Sequence, residues 1–197
     1  MSDLDIRFTI GPFPALIILF GVLLAVLLLK YRFSAANLKS WRQLLFSTCL
    51  SLYLTGAAYF VFFPIDVNIG RYASLNPWYN SINWIPVLTI DIKSFVLNII
   101  LFMPFGVLAP LAAGRLGSWR GMVKASLLLS LSIEVIQFIV GQTLGSYRST
   151  DINDLLANTL GGGAGYMVLF LVVKNTSFGR LLFREDSSMN SKKANIH

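Results

Sequence analysis

Apolar positions in this chain form unbroken blocks, without the three-to-four spacing of a surface helix or the alternation of a half-buried strand. Five blocks are long enough, or nearly so, to cross roughly 30 Å of hydrocarbon as helix: residues 13–29, 44–63, 95–113, 125–140 and 155–173. The fourth reaches full length only when Met122 and Val123 join it. The pattern predicts an all-α integral membrane protein, a bundle of five transmembrane helices forming a single domain over residues 1–174. Residues 175–197 read as a polar cytoplasmic tail, and the chain contains no internal repeat or low-complexity linker.

The basic residues between the blocks give the bundle a direction. Lys30, Arg32, Lys39 and Arg42 fall in the first gap, Arg115, Arg120 and Lys124 in the third, and Lys174, Arg180, Arg184, Lys192 and Lys193 at the end of the fifth block and in the tail. The alternate side holds only Arg7, Arg71, Lys93 and Arg148, so the 16 Lys and Arg divide twelve to four. Cytoplasmic loops carry the excess of Lys and Arg. The N-terminus is therefore expected outside and the C-terminus in the cytoplasm, with loops 64–93 and 141–154 outside. A cysteine at Ser146 should react with an impermeant thiol reagent in intact cells, and one at Ser118 should not. Four spans, with the Pro12/Pro14 segment at the interface, is the alternative; it would place both termini on one side and spoil the charge pattern. The first block does not read as a cleavable signal peptide, because Asp3 and Asp5 flank it on the N-terminal side and the positive cluster follows it.

Composition agrees. Of 197 residues 55% are hydrophobic and 13% charged, about half the charged share of soluble domains, and the mean hydropathy is +0.68. Such a chain cannot cover a water-exposed surface, and it has the opposite signature to intrinsic disorder. A net charge of +7 invites a nucleic-acid reading, but the basic residues lie between apolar blocks and not on one face interleaved with aromatics. No nucleic-acid partner is expected. One Cys and one terminal His, His197, exclude an internal disulfide scaffold, a thiolate zinc site and buried His catalysis. Cys49 is expected to pack as a small apolar group.

Ionisable side chains within a membrane helix cost several kcal/mol, roughly 3 by insertion scales, so each requires a reason. Glu134 and Gln137 sit three apart on the fourth span, and Asn98 lies one turn below the outer end of the third. With a helix starting near Thr150, Asp151, Asp154 and Asn158 share a face that continues into Gly161 and Gly165. The fourth span runs outward and the third and fifth inward, so these six polar groups converge at one depth, with Arg148 in the loop above. A purely structural network is one account: Glu134 would pair with Arg148, and one carboxylate would favour the positive end of the helix dipole. Against it, three acids share one nearby Arg, and such an imbalance commonly marks contact with a substrate, a proton or a cation.

Other motifs have simpler readings. The run from Gly161 to Gly165 contains a GxxxG pair; inside an apolar span it suits close helix packing better than phosphate binding, which needs a helix N-terminus just after the glycines. Pro104, Phe105 and Gly106 should bend the third span. Trp78, Tyr79 and Trp84 in the 64–91 loop suit the headgroup zone, so the loop is expected to lie on the outer leaflet as a partial lid.

Four stretches resemble the VanZ family of bacterial membrane proteins: Asn83-Trp84-Ile85-Pro86, 98–106 (NIILFMPFG), 132–137 (SIEVIQ) and 148–161 (RSTDINDLLANTLG). In order and spacing they resemble the family over about residues 50–173; the first span lies outside, and Trp84 stands where an aliphatic residue is expected. The resemblance implies a multi-pass protein of the bacterial cytoplasmic membrane. It implies a part in resistance to teicoplanin-type lipoglycopeptides or in another envelope function, with no established mechanism. The phosphotransbutyrylase label of some relatives does not fit, since an outward-facing acidic cluster is remote from acyl-CoA.

The leading expectation is a non-enzymatic envelope protein whose outer cavity binds a lipid-linked cell-wall precursor or another envelope glycan. Arg148 would contact phosphate or carboxylate, Asn98, Gln137 and Asn158 would orient the head group, and Glu134, Asp151 and Asp154 would hold amines, hydroxyls or a cation. The lipid bilayer is the other partner; the oligomeric state is not legible. No cofactor is predicted. An intramembrane enzyme is the first competitor, with Glu134 as general acid or base and Asp151 with Asp154 holding a divalent cation. A proton-coupled lipid transporter is the second.

Overall fold

The computed structural model describes residues 5–33, 41–70, 78–113, 117–146 and 150–176. Among the described residues five α-helices form: α1 (Phe13–Phe33), α2 (Trp41–Phe62), α3 (Ile92–Ala112), α4 (Trp119–Leu144) and α5 (Ile152–Asn175). Four of them, α2 to α5, are long and apolar enough to cross a membrane, and α1 carries the shorter apolar stretch Phe13–Leu29. The tail beyond Thr176 and the basic residues Lys39, Arg71 and Arg115 lie outside the described residues.

Helix starts follow local capping chemistry. Asp91 caps α3, its carboxylate accepting from the Lys93 and Ser94 N–H groups at 3.3 and 3.2 Å. Ser118 caps α4 by accepting from Gly121 N–H at 3.1 Å, and Asp151 caps α5 by accepting from Asn153 N–H at 2.8 Å. Each satisfies a donor that the helix leaves unpaired. Helix α4 ends at Gly145, whose φ of 62° lies in the left-handed region that favours glycine.

Helix α5 is the centre of the bundle, packed between α3 and α4; α2 packs on α3, and α1 touches mainly α2. Close approach comes from residue size. A Cβ added at Gly161 or Gly165 would collide with the carbonyl oxygens of Ile99 or Met103 on α3, and one at Gly162 with the hydroxyl of Ser126 on α4. Gly106 meets α5 from the other side, against the Gly162 carbonyl. Small residues let helix backbones approach in a medium where apolar burial gives no drive. Few apolar side chains are buried; Phe102, Ala157, Tyr166 and Leu169 form the centre. Helix α3 carries Pro104 and Pro110 inside it. In the turn that Pro104 interrupts, the Leu101 carbonyl accepts the Tyr53 hydroxyl at 2.7 Å, joining α2 to α3.

The all-α expectation needs one correction: two small sheets stand at one end of the bundle. Strand β1 (Ile6–Ile10) pairs antiparallel with β2 (Ile65–Ile69), and β3 (Ile82–Asn83) pairs parallel with β4 (Thr150–Asp151). They are too short to stand alone and form because the helices bring distant segments together. Both sheets lie where α1, α3 and α5 begin and α2 and α4 end.

The segment after β3 holds one strained residue. Val87 has a φ of 69°, which a β-branched side chain rarely adopts. Its N–H donates to Oδ1 of buried Asn153 at 2.8 Å, which secures the conformation. Val87→Gly is expected to raise the melting temperature, removing roughly 1–3 kcal/mol of strain against some gain in unfolded-state entropy. An unchanged or lower melting temperature in detergent would mean that Val87 carries no strain.

Candidate ligand cavity

Helices α3 and α4 both lean on α5 but barely meet each other. The gap between them is a cavity of about 580 Å³, closed on one side by the end of α2. Its polar lining is Ser94 and Asn98 from α3, Glu134 and Gln137 from α4, and Asp154 and Asn158 from α5. Five of the seven residues singled out in the sequence thus surround one space. Phe60, Leu97 and Ile100, 72%, 54% and 56% exposed, stand at its mouth, which therefore opens sideways between α2 and α3.

Each polar side chain is held by a specific partner. Asn98 Nδ2 donates to Asp154 Oδ1 at 2.6 Å, joining α3 to α5. Gln137 Nε2 donates to the Val61 carbonyl at 3.1 Å, joining α4 to the last turn of α2. Asn158 Nδ2 bonds Ser130 Oγ at 2.9 Å, joining α5 to α4, while its Oδ1 is buried without a partner. The acid Glu134 is 4% exposed, and its Oε2 accepts the Asp151 backbone N–H at 3.2 Å.

The single face expected for 151, 154, 158, 161 and 165 divides in two. At about 100° per residue, 161 and 165 fall within about 20° of 154, whereas 158 stands about 40° and 162 about 80° away. Accordingly Asp154, Gly161 and Gly165 meet α3, and Asn158 and Gly162 meet α4. Asp151 stands apart from the first cavity. It lines a second one of about 270 Å³ between β3, β4 and α4, with Trp84, Phe138 and the far side of Glu134. Its Oδ1 caps α5 and its Oδ2 accepts from Asn83 Nδ2 at 3.1 Å, so Asp151 and Asp154 do not share a cavity. Among the described residues no group of three or more His, Cys, Asp or Glu side chains is placed to hold a metal ion. Arg148 lies outside the described residues.

Sequence reasoning passed over Asn83 and Asn153 as site residues. Asn83 Nδ2 bonds both Asp151 and Thr89 Oγ1, the latter at 2.7 Å, and Asn153 Nδ2 reaches the same hydroxyl at 3.2 Å. Together with the Val87 bond they fasten segment 83–89 to the start of α5. The available signal was Asn153 itself, a third polar side chain between two acids at the start of an apolar helix.

Long apolar helices around a buried polar cluster define a multi-pass membrane protein. The chain belongs to the VanZ/LLP1 family, whose sequence profile matches residues 50–173. It is 32% identical over 133 residues to Protein VanZ of Enterococcus faecium, covering 67% of this chain and 78% of that protein. No solved structure matches it. The matched region holds every residue of the cavity and leaves out β1 and α1.

Proposed function

We propose that this protein sits in the bacterial cytoplasmic membrane and that its outer cavity binds a cell-envelope or lipid-linked ligand. Through that binding it contributes to lipoglycopeptide resistance of the teicoplanin type, or to another envelope function. The observation that carries this reading is the 580 Å³ cavity where Asn98, Glu134, Gln137, Asp154 and Asn158 meet beside a mouth of exposed apolar side chains. Burying two carboxylates within the span is costly, and a ligand contact is the return that justifies the cost. The relative named Protein VanZ and the family match support the resistance side of the reading. Five spans, with the N-terminus outside, are supported by the basic residues Arg120, Lys124 and Lys174, which lie at the end remote from both sheets.

Two experiments test this. Ser146 is only 7% exposed and makes a poor labelling position, whereas Leu88 is 88% exposed. In a Cys49-free background, Leu88→Cys should react with an impermeant thiol reagent in intact cells and Ser118→Cys only after lysis; the reverse pattern would invert the topology. Asp154→Asn should fail to restore lipoglycopeptide resistance or envelope-stress survival in a deletion strain at matched membrane abundance. Asp151→Asn, which retains the capping oxygen, should fail likewise. Full complementation by both would remove the two aspartates from function.

A further inference from the structure

The cavity has a polarity of its own: each of its three amide nitrogens is engaged, two carboxylates line it, and one buried amide oxygen has no partner. The Asn98 and Gln137 amide N–H groups point at a carboxylate and a main-chain carbonyl, partners that only accept here, so these two orientations are forced by chemistry. The third amide nitrogen, on Asn158, is taken by Ser130. What the lining leaves unpaired is the buried amide oxygen of Asn158, beside two carboxylates whose partners are the Asp151 N–H for Glu134 and the Asn98 amide for Asp154. No Lys, Arg or His contributes to the lining among the described residues. Asn158 is 4% exposed, and a buried amide oxygen without a partner carries a desolvation cost that a bound donor would remove.

Resting on the ligand-binding reading above, we infer that the occupant is an amphiphile with a protonated amine head, entering sideways from the bilayer between α2 and α3. An ammonium presents three donors and one positive charge, which suits two carboxylates and a buried amide oxygen that lacks a donor. A head ending in phosphate or sulfate would add negative charge to a wall that already holds two carboxylates, whereas a zwitterionic lipid presents its terminal ammonium inward and leaves its phosphodiester toward the mouth. The mouth completes the argument: Phe60, Leu97 and Ile100 are exposed and apolar, so a hydrocarbon tail stays in lipid while the head turns inward.

The test uses the full chain in nanodiscs of equal parts phosphatidylethanolamine, phosphatidylcholine and phosphatidylglycerol, and reads the retained lipid by mass spectrometry after detergent extraction. The first two differ in the ammonium N–H groups that N-methylation removes. Phosphatidylethanolamine should be enriched at least fivefold over both others, and Glu134→Gln with Asp154→Asn should abolish the enrichment. Should that double variant misfold, Leu97→Lys at the mouth supplies an internal ammonium; it should displace the lipid while the melting temperature holds or rises. Equal retention of phosphatidylcholine, or preference for phosphatidylglycerol, overturns the amine head and leaves ligand binding standing. No retained lipid of any class, with wild-type complementation intact, overturns both.

Discussion

Gly165→Leu is expected to abolish the folded protein. The new Cβ would meet the Met103 carbonyl oxygen, with the Met103 carbonyl carbon at 2.9 Å and its Cα at 3.1 Å. These are backbone atoms of α3, so no rotamer change relieves the overlap, and α3 must move away from α5. That movement would separate Gly106 from Gly162 and draw Asn98 away from Asp154. The cost should be at or above the roughly 1–3 kcal/mol of ordinary overpacking. Gly56→Leu is the control, since a Cβ there meets nothing within 4 Å. Fluorescence-detected size exclusion after heating should show early loss of the Gly165 variant and a wild-type profile for the Gly56 variant. Equal profiles would mean that α3 and α5 do not approach so closely.

Glu134 is expected to separate shape from charge. In Glu134→Gln an amide oxygen takes over the bond from the Asp151 N–H, so the link between α4 and the start of α5 survives. What is lost is a negative charge and an acceptor, replaced by a donor facing the cavity. The melting temperature should stay within a few degrees while complementation disappears. Glu134→Ala should lose both, because the Asp151 N–H is then left unpaired at a cost of about 1–3 kcal/mol. Full complementation by the Gln variant at matched abundance would reduce Glu134 to a structural role.

Much of this arrangement was legible because lipid imposes long apolar helices, and their order fixes which ends lie together. The 95–113 block became Ile92–Ala112 and the 155–173 block Ile152–Asn175. The 125–140 block was too short, since α4 runs Trp119–Leu144: Ser118 caps the helix and it continues through Lys124, where an apolar run must stop. The convergence of Asn98, Glu134, Asp154 and Asn158 followed from span direction and helical spacing alone. Asp151 lines the neighbouring cavity beside Glu134 and not the one around Asp154; a carboxylate at the helix start was expected, but a helical wheel does not tell which acid turns back to cap. The sheets were beyond reach, as two- to five-residue strands have no pattern until a distant partner is known.

The parallel pairing of β3 with β4 has a consequence for biosynthesis. Asn83 and Asp151 are 68 residues apart, a stretch that a ribosome needs roughly 3–14 s to make. During that interval α3 and α4 are made, but Asn98 has no Asp154 carboxylate to bond and segment 83–89 is not yet fastened to α5. Helix α5, the last of the described helices, brings Asp154, Asn158 and the capping Asp151 together. A nascent or truncated chain without α5 therefore lacks the assembled cavity, and the polar cluster is complete only once α5 has packed against α3 and α4.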